Sequence, residues 1–362
     1  MTRKTLSVLL TSTLFAACGG DPDPVGLPLL GAGSHDMAMV QFQVLADGFS
    51  TPTDVASNPN KPDQLWVSNY GMNAITILSG DDFGSSDTPT GGGANHFLVK
   101  PMSLAFADDG HFATIHDTDE LTQGTATPED FMGPVLWNDE SNYNGGHSSH
   151  LDMLHNSPLG GGIAWAGGNK YWVFDGYNDA LTFYDFKGDH GFGGADHSGA
   201  EIARYVEGEV SRTEGVPSHM DFDASTDLLY VADTNNGRIA VLDTTTGSRG
   251  AAIGPNYDGA DQYGMDGATI TTFIDGGAIP VVMTEKGDPT IESRTMSQPS
   301  GLELHNGVLY VTDAATSTIL AFNLQGELID WLPINRPAGS LGGLDITPAG
   351  DLVVVDIEAE EL

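Results

Sequence analysis

The stretch Tyr230-Val231-Ala232-Asp233-Thr234-Asn235-Asn236-Gly237-Arg238-Ile239 contains the pattern that decides the fold. An apolar strand ends at Asp233, a short turn follows, and a second apolar strand begins six positions later, at Ile239. Upstream, Pro217-Ser218-His219-Met220 opens another strand. Short apolar runs bounded by turn residues indicate β-strands, so this stretch is predicted to contain the first three of four short strands in one unit.

The same unit recurs along most of the chain. Its second strand ends in an aspartate or asparagine at Asn69, Asp117, Asp175, Asp233, Asp313 and Asp356. Its first strand opens near a proline or serine at Pro52, Pro101, Pro158, Pro217, Pro299 and Ser340. The third strand begins six positions after the polar residue at Ile75, Leu181, Ile239 and Ile319. A constant offset indicates a constant turn geometry.

Repeats of this length are typical of arrays whose units cannot bury their apolar faces alone. Short strands that close radially form a β-propeller, so we predict an all-β, six-bladed β-propeller over residues 37–362. The last unit ends at Leu362, where its third strand would begin, and we expect residues 37–45 to complete that blade as an N-terminal strand. Seven blades are the alternative, with an additional hairpin at residues 270–283.

The first residues have the pattern of a secretory signal. Arg3 and Lys4 precede an apolar run, and residues 1–17 are predicted to be removed on export. Cys18, the one cysteine of the chain, follows two alanines, as the lipid-modified residue of a bacterial lipoprotein does. We expect residues 18–36 to form a flexible tether that holds the propeller at the outer membrane, facing the periplasm or the cell surface. The alternative is an ordinary secretory signal with an incidental cysteine.

The composition restricts the partners. The formal net charge is −37, with 50 acidic and 13 basic side chains. Such a surface repels nucleic acid and anionic lipid, so neither is an expected partner, and membrane contact is expected only through the N-terminal lipid. With one cysteine the mature chain forms no internal disulfide, and its stability must come from packing of the blades. We expect a monomer.

Histidines near the predicted strand ends are candidate metal ligands. In a propeller, the loops that lead into the first strands and those that join the second to the third meet at one axial mouth. His219, His155, His150 and His116 are assigned to that mouth, with Tyr177 on an adjacent turn. Imidazoles with nearby carboxylates are ligands for Zn²⁺ or another divalent transition metal. Solvated loop histidines are the alternative, and the repeated aspartates are predicted to stabilise turns.

A second polar cluster lies in the loop after the third strand of the third unit. It comprises Asp189-His190-Gly191 and Gly193-Gly194-Ala195-Asp196-His197, on the opposite face of the predicted ring. Carboxylates and backbone oxygens in a glycine-rich loop are typical Ca²⁺ ligands, although the spacing departs from that of an EF-hand. A second site for Ca²⁺ is therefore one interpretation of this loop, and a solvated insertion is the other.

The first and fourth units resemble NHL repeats, through Pro52-Thr53-Asp54-Val55-Ala56 with Leu65-Trp66-Val67-Ser68-Asn69-Tyr70, and through residues 230–239. This resemblance covers most of residues 50–362. Within such propellers, Asp175-Gly176-Tyr177-Asn178 and Val216-Pro217-Ser218-His219 are similar to parts of the peptidyl-hydroxyglycine (peptidylamidoglycolate) lyase family. The resemblance implies that Tyr177 is a base and His219 a zinc ligand.

The chain departs from that lyase pattern at three positions. Two strands that carry zinc ligands in the family have Met102-Ser103 and Ser300 here, and Thr234 stands where the family has an arginine. Two functions therefore stay open. One is a metal-dependent lyase or hydrolase that acts on a small or peptide-derived substrate, and the other is a non-catalytic propeller that binds a protein, peptide or glycan.

Overall fold

The computed structural model describes residues 26–89, 97–119, 132–141, 143, 150–254, 256–284 and 291–362. These residues form short strands, with four short 3₁₀ helices at Pro28–Leu30, Met37–Met39, Tyr70–Met72 and Gly276–Ala278. The first three blades are built from β1 (Pro52–Ser57), β2 (Gln64–Asn69), β3 (Ala74–Ser79), β4 (Ser85–Asp87), β5 (Pro101–Phe106), β6 (His111–His116), β7 (Met132–Asn138), β8 (Asp152–His155), β9 (Ile163–Trp165), β10 (Lys170–Asp175), β11 (Ala180–Asp185) and β12 (Glu201–Tyr205).

The remaining strands complete the ring. They are β13 (Met220–Asp223), β14 (Leu228–Asp233), β15 (Arg238–Asp243), β16 (Ser248–Ala252), β17 (Asp261–Asp266), β18 (Thr269–Asp275), β19 (Pro280–Thr284), β20 (Ile291–Thr295), β21 (Pro299–His305), β22 (Val308–Asp313), β23 (Thr318–Asn323), β24 (Leu328–Pro333), β25 (Leu341–Ile346) and β26 (Leu352–Asp356). No helix in the described part of the chain has the length and hydropathy needed to cross a bilayer.

The predicted propeller is confirmed, with a correction to the number of complete blades. Five blades have four antiparallel strands each, in the orders β1-β2-β3-β4, β5-β6-β7-β8, β9-β10-β11-β12, β13-β14-β15-β18 and β21-β22-β23-β24. The sixth position of the ring holds a sheet of two strands, β25 and β26, whose first strand packs between β21 and β1. The sixth repeat therefore closes the ring without forming a complete blade.

The closing contact also differs from the predicted strand at residues 37–45. Met37–Met39 is a 3₁₀ helix, and Phe42 and Val44 are about half exposed, at 45% and 46%. The segment before β1 meets the last residues where the Leu45 amide donates to the Leu362 carbonyl at 2.7 Å and the Leu362 amide donates to the Ala46 carbonyl at 3.0 Å, next to a bridge between Asp47 and Glu361. Val40 packs against the apolar cluster of the last sheet, and Phe42 and Val44 lie beside Leu341 and Val354, but the segment does so without forming a strand.

The described residues also give no support to a seventh blade. β18, which begins the region proposed for an additional hairpin, is the fourth strand of blade four. β19 pairs only with β20 among the described strands, as a two-stranded sheet. The long interval between the fourth and fifth repeats is instead explained by β16 and β17, which are inserted between β15 and β18.

This insertion links two blades. β17 pairs in parallel with β12, the outer strand of blade three, from the Glu201–Asp261 pair to the Tyr205–Met265 pair. The parallel pairing covers an otherwise open sheet edge, which reduces its tendency to pair with other chains. It also brings the loop at residues 256–260 against the rim between blades two and three.

Alternation along the strands places apolar side chains between neighbouring sheets. Trp66 of blade one meets Phe112 of blade two edge-on, with ring centroids 4.9 Å apart. Both side chains are fully buried, and each aromatic of this size removes on the order of 150–250 Å² from water. Packing between blades therefore takes the place of the disulfides that the chain cannot form.

Near the axis the first strands come too close for side chains at some positions. A Cβ atom on Gly162 would lie 2.1 Å from the Ser218 carbonyl oxygen, and one on Gly301 would lie 2.5 Å from the Gly342 carbonyl oxygen. Both obstacles are backbone atoms of the next blade, so they cannot move aside by a change of rotamer. Glycine at these positions allows the blades to converge.

We predict that Gly162→Ala destabilises the protein by roughly 1–3 kcal/mol, because the new methyl group forces blades three and four apart. Urea denaturation of the variant and the parent protein measures the difference. Gly188→Ala is the matched control, since nothing lies within 4 Å of a Cβ at Gly188. Equal losses in the two variants would contradict this account of axial packing.

Candidate axial cation site

The first strands of the blades surround an axial cavity of about 250 Å³. Its wall includes the carboxylates of Asp54, Asp221, Glu303 and Asp345 and the imidazole of His219. None of the described residues that line the cavity is a lysine or arginine. The centre of the ring therefore concentrates negative charge in a confined space.

His219 presents an unpaired nitrogen to this cavity. Its backbone is held on both sides, because its amide donates to the Ser300 carbonyl and its carbonyl accepts from the Ala232 amide. The ring Nε2 lies 3.5 Å from Asp54 Oδ1, and none of the described residues forms a hydrogen bond with it. Burial lowers the pKa of His219, with the Asp54 charge opposing that shift. A neutral imidazole is the form that binds metal ions.

Gly343 determines how closely His219 and Asp54 approach. A Cβ at this position would lie 2.5 Å from His219 Cε1 and 2.5 Å from Asp54 Oδ1. The double glycine that opens the sixth repeat, at residues 342 and 343, therefore leaves the space in which these two side chains face each other.

Three of the carboxylates also join successive blades. Asp54 accepts a hydrogen bond from the Leu104 amide at 2.9 Å, Asp221 accepts from Leu304 at 2.8 Å, and Asp345 accepts from Ser57 at 2.7 Å. In each case the donor lies on the first strand of the following sheet. These bonds hold each carboxylate in place, and they leave part of its hydrogen-bonding capacity available to the cavity.

The carboxylates oppose each other's ionisation. Burial raises the pKa of Asp221 from an ordinary 3.8 to about 6, with a smaller contribution from the Asp345 charge. Burial and the charges of Asp221, Asp345 and Asp54 raise the pKa of Glu303 well above its usual range. The pKa of Asp345 is raised mainly by burial as well. A bound cation would reverse these effects by stabilising the ionised forms.

The structure does not bring the four predicted histidines together at the axis. His155 lies at the end of β8, the fourth strand of blade two, so it is at the rim of the same end of the ring as His219. Its Nδ1 is 2.6 Å from Asp258 Oδ1, and its amide donates to Asp258 Oδ2. The sequence placed His155 just before β9. The loop between His155 and β9, however, is the segment that crosses from the rim of blade two to the axis.

His116 and His150 are also away from the axis. The His116 ring is fully buried at the end of β6, where Nδ1 contacts the Gly133 carbonyl and Nε2 contacts the Thr114 hydroxyl, and burial lowers its pKa to about 4. His150 lies towards the opposite end of blade two and packs against Phe97, with the ring centroids 3.9 Å apart and the ring planes tilted by 45°. Of the four histidines, His219 is the one that lines the axial cavity.

Tyr177 lies on the predicted turn, between β10 and β11, and its side chain is 48% exposed. Next to it, Gly176 leaves room for Arg212, whose guanidinium pairs with Asp117. Asp117 also accepts from the hydroxyl group of Tyr70 at 3.2 Å. The mouth thus contains an arginine that the repeat pattern did not reveal. Arg212 lies in the loop between β12 and β13, which is not part of the repeated sequence.

The repeated aspartates stabilise turns, as predicted. Asp233 accepts from the Asn236 side chain and pairs with Arg238, and Asp175 accepts from the backbone and side chain of Asn178. These carboxylates lie behind the mouth, where they hold the turns between the second and third strands.

The axial carboxylates were not predicted from the sequence, although most of them share a recognisable sequence pattern. Three of the four stand between two apolar residues of a first strand, in Met220-Asp221-Phe222, Leu302-Glu303-Leu304 and Leu344-Asp345-Ile346. An acidic residue in that setting is costly to bury unless a partner compensates its charge.

One further group of potential metal ligands lies elsewhere. Among the described residues, Asp152, His190 and His197 have ligand atoms within 4.8 Å of one another. Two of them belong to the loop for which the sequence analysis considered Ca²⁺. This group could hold a divalent metal, and it is separate from the axial cavity.

None of the known family models matches this sequence, and none of the curated proteins matches it. Solved structures show the same fold at low identity. A protein of unknown function from Bacteroides thetaiotaomicron superposes with a TM-score of 0.56 at 12% identity, covering 87% of this chain and 70% of that one. An auxiliary nutrient binding protein from the same species gives 0.55 at 11%, covering 87% and 68%. Its counterpart from Bacteroides ovatus gives 0.51 at 13%, covering 86% and 68%.

The raised pKa of Asp221 predicts that the free energy of unfolding depends on pH. The folded state keeps this proton up to about pH 6, whereas the unfolded state releases it near the ordinary pKa of 3.8, so stability is lost as the pH rises from the lower value through the higher one. In metal-free protein, Asp221→Asn should therefore be more stable than the parent by up to about 3 kcal/mol near neutral pH, and equally stable near pH 4.

Urea denaturation at several pH values, in the presence of a chelator, measures this difference. The exposed Asp351 supplies the control variant Asp351→Asn. A constant difference between Asp221→Asn and the parent across the pH range would show that the axial carboxylate carries no such penalty.

Proposed function

We propose that this protein is an exported, lipid-anchored propeller that binds a divalent cation in its axial cavity. The cation would in turn hold an anionic group of a small-molecule or peptide ligand at the mouth. The proposal depends on one observation above all: four carboxylates and an unpaired imidazole nitrogen line one cavity that contains no lysine or arginine among its described residues. A divalent cation would offset the mutual repulsion of these groups.

The donor set favours a hard cation. Carboxylate oxygens suit Ca²⁺ and Mn²⁺, whereas the group of histidines assigned to the mouth from the sequence favoured Zn²⁺. Asp54 Oδ1 and His219 Nε2 are 3.5 Å apart, which is a reasonable separation for two adjacent ligands of one ion. Mn²⁺ accepts both oxygen and imidazole ligands, so it is the best first probe.

Ligand binding without catalysis is consistent with the resemblance in fold to the auxiliary nutrient binding proteins. The mouth offers groups for recognition: Arg212, paired with Asp117, can contact an anionic substituent, and the exposed ring of Tyr177 can pack on an apolar one. A propeller can bind a ligand at its axial mouth whether or not it also catalyses a reaction.

A lyase or hydrolase is the second candidate, because Tyr177 is exposed at the same mouth with an arginine nearby. In that case Tyr177 would transfer a proton and the bound cation would polarise an oxygen of the substrate. Turnover of hydroxyglycine-ended peptides by the Mn²⁺-loaded protein would support this candidate over simple binding.

We predict that chelator-treated protein binds Mn²⁺ at the axial site, and that Glu303→Gln and His219→Ala each weaken this binding by about 10-fold or more. Removing a carboxylate reduces the attraction for the cation, and removing the imidazole deletes a ligand. Titration followed by electron paramagnetic resonance of free Mn²⁺ gives the affinity and stoichiometry.

Glu358→Gln is the matched control, since Glu358 is exposed and outside the cavity. It removes the same charge from the chain, so it separates local ligation from general attraction by an acidic protein. Equal weakening in Glu358→Gln and Glu303→Gln, or no binding by the parent protein, would argue against the axial site.

The membrane anchor is a separate proposal, because Cys18 lies outside the described residues. We predict that Cys18→Ser abolishes incorporation of radiolabelled palmitate and releases the protein from the membrane fraction, since the acyl chains are its expected membrane contact. Fractionation of cells that express each form tests this. Unchanged membrane association of Cys18→Ser would mean that another contact retains the protein.

A further inference from the structure

A second candidate metal centre lies outside the axial cavity, at the rim between blades two and three. Asp152 begins β8 of blade two and is buried, whereas His190 and His197 belong to the loop between β11 and β12 of blade three. The three side chains therefore come from two blades. The function proposed above uses none of them.

His190 has one ring nitrogen, Nε2, that no residue in the described part of the chain hydrogen-bonds. Its Nδ1 lies 2.6 Å from the Gly191 carbonyl oxygen, and since a carbonyl oxygen can only accept, Nδ1 carries the proton. In the neutral ring, Nε2 is then a lone pair. This Nε2 lies 3.7 Å from Asp152 Oδ1, beyond hydrogen-bond distance, in a side chain only 5% exposed.

An imidazole lone pair that faces a buried carboxylate is unfavourable unless a cation or a proton lies between them. The Gly191 contact also fixes the orientation of the ring. A hydrogen bond from one ring nitrogen to a carbonyl oxygen is the usual arrangement behind a metal-bound histidine, because it fixes the tautomer that ligates. His190 is thus arranged as a ligand through Nε2.

His197 completes the group from the other side of the carboxylate. Its Nδ1 is 2.7 Å from Asp152 Oδ1, and its ring centroid is 5.0 Å from that of His190. The Met153 amide also donates to Asp152 Oδ1, which holds the carboxylate in place. One ligand atom from each residue lies within 4.8 Å of the others, which a single ion with bonds of about 2.0–2.2 Å can bridge.

The neighbours of this group shield it from solvent. The buried ring of His150 packs edge-on against His190, with centroids 5.1 Å apart. Gly194 allows the loop to fold tightly over His190, since a Cβ there would lie 2.6 Å from His190 Nδ1. His150, assigned by sequence to the axial metal, therefore lies beside a different site.

We propose that Asp152, His190 and His197 bind a divalent transition metal, such as Zn²⁺ or Co²⁺, and that this ion fastens the β11–β12 loop of blade three to blade two. Two imidazoles and one carboxylate suit such metals better than Ca²⁺. The carboxylates that suggested Ca²⁺ in this loop are engaged elsewhere, because Asp189 accepts from the Gly191 amide and Asp196 accepts from Ser198.

Co²⁺ provides the direct test, because its visible absorption reports nitrogen ligation in a distorted site. Chelator-treated protein should bind one Co²⁺ with visible bands at this centre, and Zn²⁺ should displace it. Saturating Zn²⁺ should raise the Tm by about 5 °C, since binding to the folded state alone stabilises it. His190→Ala and His197→Ala should lose the bands and the Tm increase, whereas His305→Ala, at the end of β21, should keep both.

Gly194→Ala keeps every ligand and displaces His190, so it tests the geometry even if a histidine variant folds poorly. It should weaken Co²⁺ binding, whereas Gly199→Ala, with nothing within 4 Å of its Cβ, should not. Bands that persist in His190→Ala, or a parent protein without them, would overturn the proposal. Glu303→Gln should leave the bands intact, so failure of the axial site and failure of this one are distinguishable.

Discussion

Convergence of six first strands on one axis imposes an electrostatic constraint on the whole molecule. Asp54, Asp221, Glu303 and Asp345 come from different sheets, and the ring places them around a single cavity. Three of them accept an amide hydrogen bond from the following sheet, so they cannot turn away without loss of contacts between blades. The hydrogen bonds that help to join the ring therefore also keep these carboxylates at its centre. A bound cation is the simplest way to compensate their negative charge.

The two candidate sites differ in the type of ligand they offer. The axial cavity presents mostly carboxylate oxygens, which suit hard cations, and the rim site presents two imidazole nitrogens with one carboxylate, which suit transition metals. This assignment is the reverse of the one that the sequence suggested, in which Zn²⁺ was placed at the axis and Ca²⁺ in the loop. The reversal arises because histidines close in sequence to a first strand are not necessarily close to the axis.

His155 shows most clearly why the site was harder to predict than the fold. It precedes β9 by only a few residues, yet it ends β8 at the outer edge of blade two and pairs with Asp258 from a distant insertion. The repeat pattern reports which strand a residue is near in sequence. It does not report how far from the axis the chain lies when it passes from one blade to the next, because that crossing is made by loops without a periodic pattern.

The sequence by itself determined the all-β propeller, the first two strands of each repeat and the turn-stabilising role of Asp175 and Asp233, because these follow from local periodicity and turn chemistry that each repeat carries alone. Only the tertiary structure decided that the sixth sheet stops at two strands, that Asp54 and His219 face each other at 3.5 Å, and that Asp152 meets His190 and His197 across two blades. Those contacts join residues far apart in the chain. Their distances depend on how the ring closes, which no local pattern encodes.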